Sequence, residues 1–92
     1  MENTTLKRVN NVTEVMWRAA LQLSVEAIDC PLFNVGEMSQ FIRKKFEKMF
    51  EGRWACLVAR SSSFSVDHFE AEIVIQYKKG DINYIIGLFK CW

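Results

Sequence analysis

The chain has 92 residues, half of them apolar and a quarter charged, the balance of one globular domain with a single modest core. Twelve basic side chains stand against eleven acidic ones for a net charge of +1, so the basic excess that marks a phosphate-binding surface is missing and nucleic acid is not the expected partner. No apolar run reaches membrane-spanning length and no signal-peptide core opens the chain, so membrane insertion and secretion are not expected either. Cys30, Cys56 and Cys91, odd in number and far apart, read as reduced thiols of a cytosolic protein.

Residues 1–6 begin polar and are expected to be loose, although Leu6-Lys7-Arg8-Val9 has the composition of a short edge strand. Thr13 is a helix N-cap with Glu14 in the favourable first turn. From there to Asp29 the polar residues Glu14, Arg18, Gln22, Glu26 and Asp29 draw one narrow stripe down an otherwise apolar helix, which more than one neighbour must cover. Pro31 ends it, because the residue before proline avoids helical geometry. A second helix starts at Asn34, with Glu37 placed to cap back, and runs to Glu51 before Gly52. Met38, Phe41, Ile42, Phe46, Met49 and Phe50 form its apolar face.

The pattern then changes to that of strands. Trp54-Ala55-Cys56-Leu57-Val58-Ala59 is nearly continuous in apolar character, as in a strand buried on both faces. Ala71 to Tyr77 and Ile82 to Phe89 flank the polar Lys78-Lys79-Gly80-Asp81 and read as a hairpin. Between these runs lies Ser61-Ser62-Ser63-Phe64-Ser65-Val66-Asp67-His68, whose last five residues alternate like a half-buried strand. A strand this polar suits an outer position, where its backbone can pair with something added from outside. Two helices followed by four strands give an α+β fold with the helices on one face of an antiparallel sheet.

Residues with possible chemistry are few. His68, the only histidine, would have to serve Cys56 as a base, but Cys56 sits in an apolar run, and no orienting carboxylate or glycine-rich oxyanion turn accompanies the pair. One histidine and three scattered cysteines lack metal-ligand spacing, so neither metal nor cofactor is expected. Arg43, Lys44, Lys45 and Lys48 are interrupted by Glu47 and Glu51 and read as a solvated helix face. Trp17, Phe46 and Trp54 fall on core-facing positions, where packing is their expected role.

Phe41-Ile42-Arg43-Lys44-Lys45-Phe46-Glu47-Lys48, then Trp54-Ala55-Cys56-Leu57-Val58-Ala59-Arg60, then Val66-Asp67-His68 and finally Leu88-Phe89-Lys90 resemble the smallest, eight-kilodalton class of dynein light chain. The resemblance spans roughly residues 7–90 within one domain, 1–92. It implies a homodimer in which the strand at residues 62–68 crosses to pair with the sheet of the other protomer. The second edge of that strand would lie open in a groove at the interface, where extended segments, often centred on Thr-Gln-Thr, add as an extra strand. The implied partners are the dynein intermediate chain and other proteins with short extended motifs. The implied role is that of a non-catalytic, cytoplasmic adaptor on the microtubule motor, or alternatively a motor-independent dimerisation hub. A small nucleic-acid-binding domain using the Arg43 to Lys48 face is the reading from a different class.

On this resemblance the groove is expected to comprise Gly36, Glu37, Arg60, Ser62, Ser63, Phe64, Ser65, Val66, Asp67, His68, Ile73, Ile75 and Tyr77. Ala55, Ser65, Val66 and Asp67 would meet the other protomer. The chain departs from its apparent relatives at these places. Ser65 and Asp67 replace a tyrosine and a threonine of the groove, Gly36-Glu37 replaces a Glu-Lys pair, and Ala55 replaces the interface histidine. Backbone pairing survives such changes, because strand addition depends on main-chain groups. Side-chain selection does not. Asp67 in particular is expected to favour a lysine or arginine in the bound segment.

Overall fold

The computed structural model describes residues 3–60 and 70–91. Six elements follow one another: β1 (Thr4–Asn10), α1 (Glu14–Ile28), α2 (Val35–Met49), β2 (Trp54–Ala59), β3 (Glu72–Lys79) and β4 (Ile82–Lys90). The predicted strand at Phe64 to His68 lies outside the described residues.

Both helices begin where their caps dictate. The Thr13 hydroxyl accepts from the Met16 amide at 3.3 Å, and Glu14 sits in the positive field of the first turn. In α2 the capping is reciprocal: the Asn34 side chain accepts from the Glu37 amide at 2.8 Å and Glu37 accepts from the Asn34 amide at 3.0 Å. Two orphan donors are thereby satisfied at once. Phe50 leaves the helix in an extended conformation, and Gly52 turns the chain at φ 102°.

The four strands form one antiparallel sheet in the order β1-β3-β4-β2. The β3–β4 hairpin is tighter than its sequence suggests. Lys78 and Lys79 pair with Asn83 and Ile82, leaving Gly80-Asp81 as a two-residue loop. Gly80 has φ 62° there, a conformation that costs glycine nothing and matches the twist of the flanking strands. β1 is longer than the predicted Leu6–Val9 segment. It starts at Thr4, and the Asn3 carbonyl still accepts from the Lys78 amide at 3.0 Å. Without β1, the outer edge of the buried β3 would hold unpaired main-chain groups, a cost that recruits the extra residues.

Side chains alternate between the two faces of this sheet. Ile73, Ile75, Ile86, Leu88, Val58 and Trp54 point to the helices and join Ala20, Leu23, Ala27, Ile28, Met38, Ile42 and Phe46 in the main core. α1 lies over β3 and β1 and against α2, whereas α2 lies over β2. The polar stripe predicted for α1 is exposed, and Val15 widens it. Ser24 is fully buried and returns its hydroxyl to the Ala20 carbonyl at 2.7 Å. The Phe46 ring stands 4.8 Å from both the Phe50 and the Trp54 rings, fastening α2 to β2.

The opposite face carries a smaller cluster, Val74, Ile85 and Phe89. At its margin Arg8 holds the buried carboxylate of Glu72 with two contacts, 2.8 and 3.4 Å. The two-sided burial predicted for Trp54–Ala59 is corrected here. Trp54 and Val58 are buried beneath α2, but Ala55 and Leu57 are exposed on the far side, Leu57 to 43%.

Candidate interaction site

β1 and β2 are the outer strands of the described sheet, and they differ in what they offer. The β1 ladder slips between Leu6 and Arg8, leaving Lys7 as an extra residue, and Lys7 and Arg8 are both exposed. A bulge and two charges are devices that discourage edge-to-edge pairing. β2 has neither. It pairs in regular register with β4 along all six residues, and none of them is charged. Among the described residues no strand occupies its outer edge. β2 is therefore the edge suited to accept a further strand.

The α2 helix packs over β2. Four residues, 50–53, join Met49 to Trp54 and turn the chain from helix to strand. The return is locked at the near end: one Glu47 oxygen accepts from the Trp54 amide at 2.8 Å and the other from Arg43 at 3.0 Å. Gly36, Gln40, Arg43 and Glu47 recur at helical spacing along one line of α2. Beneath the near end lies an open hollow of about 490 Å³ lined by Arg43, Glu47, Gly52, Arg53, Trp54 and Cys91.

The expected site residues divide into three groups. Ser62, Ser63, Phe64, Ser65, Val66, Asp67 and His68 lie outside the described residues. Gly36, Glu37, Ala55 and Arg60 are all exposed: Gly36 and Glu37 at the start of α2, Ala55 on the face of β2 away from the helices, and Arg60 just after β2 with its guanidinium 6.0 Å from the Tyr84 ring. Glu37 is already committed to the Asn34 cap. The third group is displaced from the edge. Ile73 and Ile75 are fully buried under the helices in β3, which is paired on both sides. Tyr77 is half-buried and donates its hydroxyl to Asp29 at 2.9 Å, beside Lys79. The alternation along 71–77 was legible, but not which face met the helices. Leu57 and Arg53 were absent from the expected set. Leu57 was hidden because both faces of β2 are apolar in sequence.

The Cys56 thiol in β2 is a poor nucleophile. Burial pushes the Cys56 thiol up to about 12, with Arg43 pulling it partly back. At pH 8 that leaves about three orders of magnitude less thiolate than an ordinary cysteine holds. A thiol reagent is expected to modify the exposed Cys91 long before Cys56 in the folded chain, read by peptide mass mapping of a time course. Equal labelling of the two would show that the Cys56 environment is open. Burial, and then the Asp29 hydrogen bond and charge, raise Tyr77. Stability from that contact is present below the unfolded tyrosine range and lost as pH rises through the folded one. Among the described residues no group of His, Cys, Asp and Glu side chains is arranged to hold a metal ion. No described helix is long and apolar enough to cross a membrane.

The family model for dynein light chain type 1 matches residues 6–91. Among solved structures, the chain is similar to the dynein light chain-like domain of the Fasciola hepatica calcium binding protein FhCaBP2. Identity is 11%, the TM-score is 0.64, and the match covers 95% of this chain and 92% of that one. A likeness at that identity is one of fold. No curated protein matches the chain.

Proposed function

The chain belongs to the dynein light chain type 1 family, and on that premise we propose that it is a non-catalytic, dimerising adaptor that takes up extended segments of partner proteins as added β-strands. The observation that carries this reading is the regular, uncharged edge of β2, on which no described strand lies, in contrast to a guarded β1 edge. The strand at 62–68 of one protomer pairs with β2 of the other and presents its own second edge to the partner segment. The exposed Ala55 and Leu57 face gives the two protomers an apolar surface to bury. Two grooves related by symmetry hold two partner chains at once, so bivalency strengthens weak single contacts.

The dynein intermediate chain is the first partner to test, which would make the protein a cytoplasmic, microtubule-associated light chain. The second reading is an adaptor that works apart from the motor. The altered groove residues Gly36, Ser65 and Asp67 favour it, and the fold also occurs within a calcium binding protein. The deciding experiment is binding of the purified chain to intermediate-chain segments, with sedimentation to establish the dimer. A dimer that ignores those segments but takes others supports the motor-independent reading, and a monomer that takes none overturns both. Because Ala55 stands where relatives carry a histidine, the dimer is expected to persist at pH ~5 to 6, where a histidine would titrate. Monomers in sedimentation at that pH would remove this expectation.

A further inference from the structure

In an antiparallel pair, residues alternate between those that exchange both main-chain bonds with the partner strand and those whose amide and carbonyl point away from it. The Cys91 amide donates to the Arg53 carbonyl at 2.7 Å, so Arg53 is a bonded position. The register between β2 and β4 is unbroken, which makes Ala55, Leu57 and Ala59 bonded positions too. Trp54, Cys56 and Val58 therefore turn their amides and carbonyls to the outer edge. The far side of β4 agrees: the Lys90 amide donates to the Ala71 carbonyl at 2.9 Å, so the even-numbered residues of β4 serve β3 and the odd-numbered ones serve β2.

The three outward amides are not equivalent. Cys56 and Val58 face an edge on which no described strand lies. The Trp54 amide already donates to the Glu47 carboxylate at 2.8 Å. That carboxylate is itself fixed, because its other oxygen accepts from Arg43 one helical turn away at 3.0 Å. The Trp54 indole donates to the Glu51 carbonyl at 3.2 Å and its ring packs edge-on against Phe46, so the tryptophan is held as firmly as the acid. A bond from an amide to an ionised carboxylate is stronger than one to the neutral carbonyl of an arriving strand.

We propose that Glu47 is a positioning residue for strand addition, occupying the first outward donor of β2 and stopping the added strand at Cys56. The inference rests on the strand-addition reading, in which a second copy of this chain supplies the strand, and it names where on β2 that strand must end. Complete pairs form at Cys56 and Val58, and none forms at Trp54. A slip of one residue would turn every side chain of the added strand to the wrong face, so a two-residue slip is the competing register. Two residues is the step from Cys56 to Trp54, and Glu47 blocks it. One carboxylate on the neighbouring helix thus selects a single register without touching the added side chains.

The test is hydrogen exchange resolved to single amides on the full chain, over a dilution series that sedimentation shows to run from dimer to monomer. Assembly should slow exchange of the Cys56 and Val58 amides by at least about tenfold and leave the Trp54 amide unchanged. In Glu47→Ala the Trp54 amide should join the other two and slow on assembly. Glu47→Gln keeps an acceptor oxygen and should restore the original pattern, which a merely stabilising role for the charge would not. A Trp54 amide that slows on assembly in the unaltered chain would show that the added strand displaces Glu47 and would overturn the stop. A Trp54 amide that stays fast in assembled Glu47→Ala would overturn it as well. A dimer in which neither Cys56 nor Val58 slows would overturn strand addition at β2 and the inference with it.

Discussion

Val66→Pro is expected to turn the dimer into a monomer that no longer takes up extended segments. Proline has no amide to donate and is confined to sheet edges and bulges, whereas the proposed role of Val66 requires pairing on both sides of its strand. Each copy would leave a buried carbonyl without its donor, at about 1–3 kcal/mol, and the symmetric dimer suffers this twice. That is enough to move a micromolar association out of reach, since each 1.4 kcal/mol is about tenfold. Sedimentation velocity at micromolar concentration and anisotropy with a labelled partner segment read the two losses separately. Survival of both dimer and binding would refute strand exchange at this position. Because β1, β3, β4 and β2 pair with one another without residues 61–69, the variant should keep its helical circular dichroism.

Phe46→Ala is expected to have the largest effect on stability. The residue is fully buried, and its ring contacts join the end of α2 to the start of β2. Truncating such a phenylalanine costs about 3–5 kcal/mol, a large share of the roughly 5–15 kcal/mol that holds a domain together. For a chain of this size the midpoint of thermal unfolding should fall by on the order of 15–25 °C. Binding should fall with it, because the same contacts fasten α2 to β2. A drop of only a few degrees would mean that the Glu47 contact to the Trp54 amide keeps the two elements together without the ring.

Much of the local structure was readable because its signals act over three or four residues. The Thr13 cap, the reciprocal Asn34–Glu37 cap and the Gly80 turn each depend on neighbours in sequence, and each appears where its residues predict. Other features were decided at longer range. The alternation at Ile73, Ile75 and Tyr77 marked one face correctly, but a period of two does not say which face meets the helices. Within one protomer Ile73 and Ile75 lie in the core, and Tyr77 is half-buried beside Asp29. The even apolar character of Trp54 to Ala59 was read as two-sided burial, although within this chain only one side is covered. That mismatch is informative, since an apolar face left bare in one protomer is what a dimer would bury.

By itself the sequence determined the family, two capped helices and the hairpin, because caps, turns and periodicity are local properties of the chain. Only the tertiary structure decided that β1 lies beside β3, that β2 is an outer strand of the described sheet, and that Arg43 and Arg53 line one hollow beside Trp54. Sheet order and edge exposure arise from pairing between residues tens of positions apart, where the gain of a buried ladder must outweigh the entropy of closing long loops. No window of the sequence contains that balance.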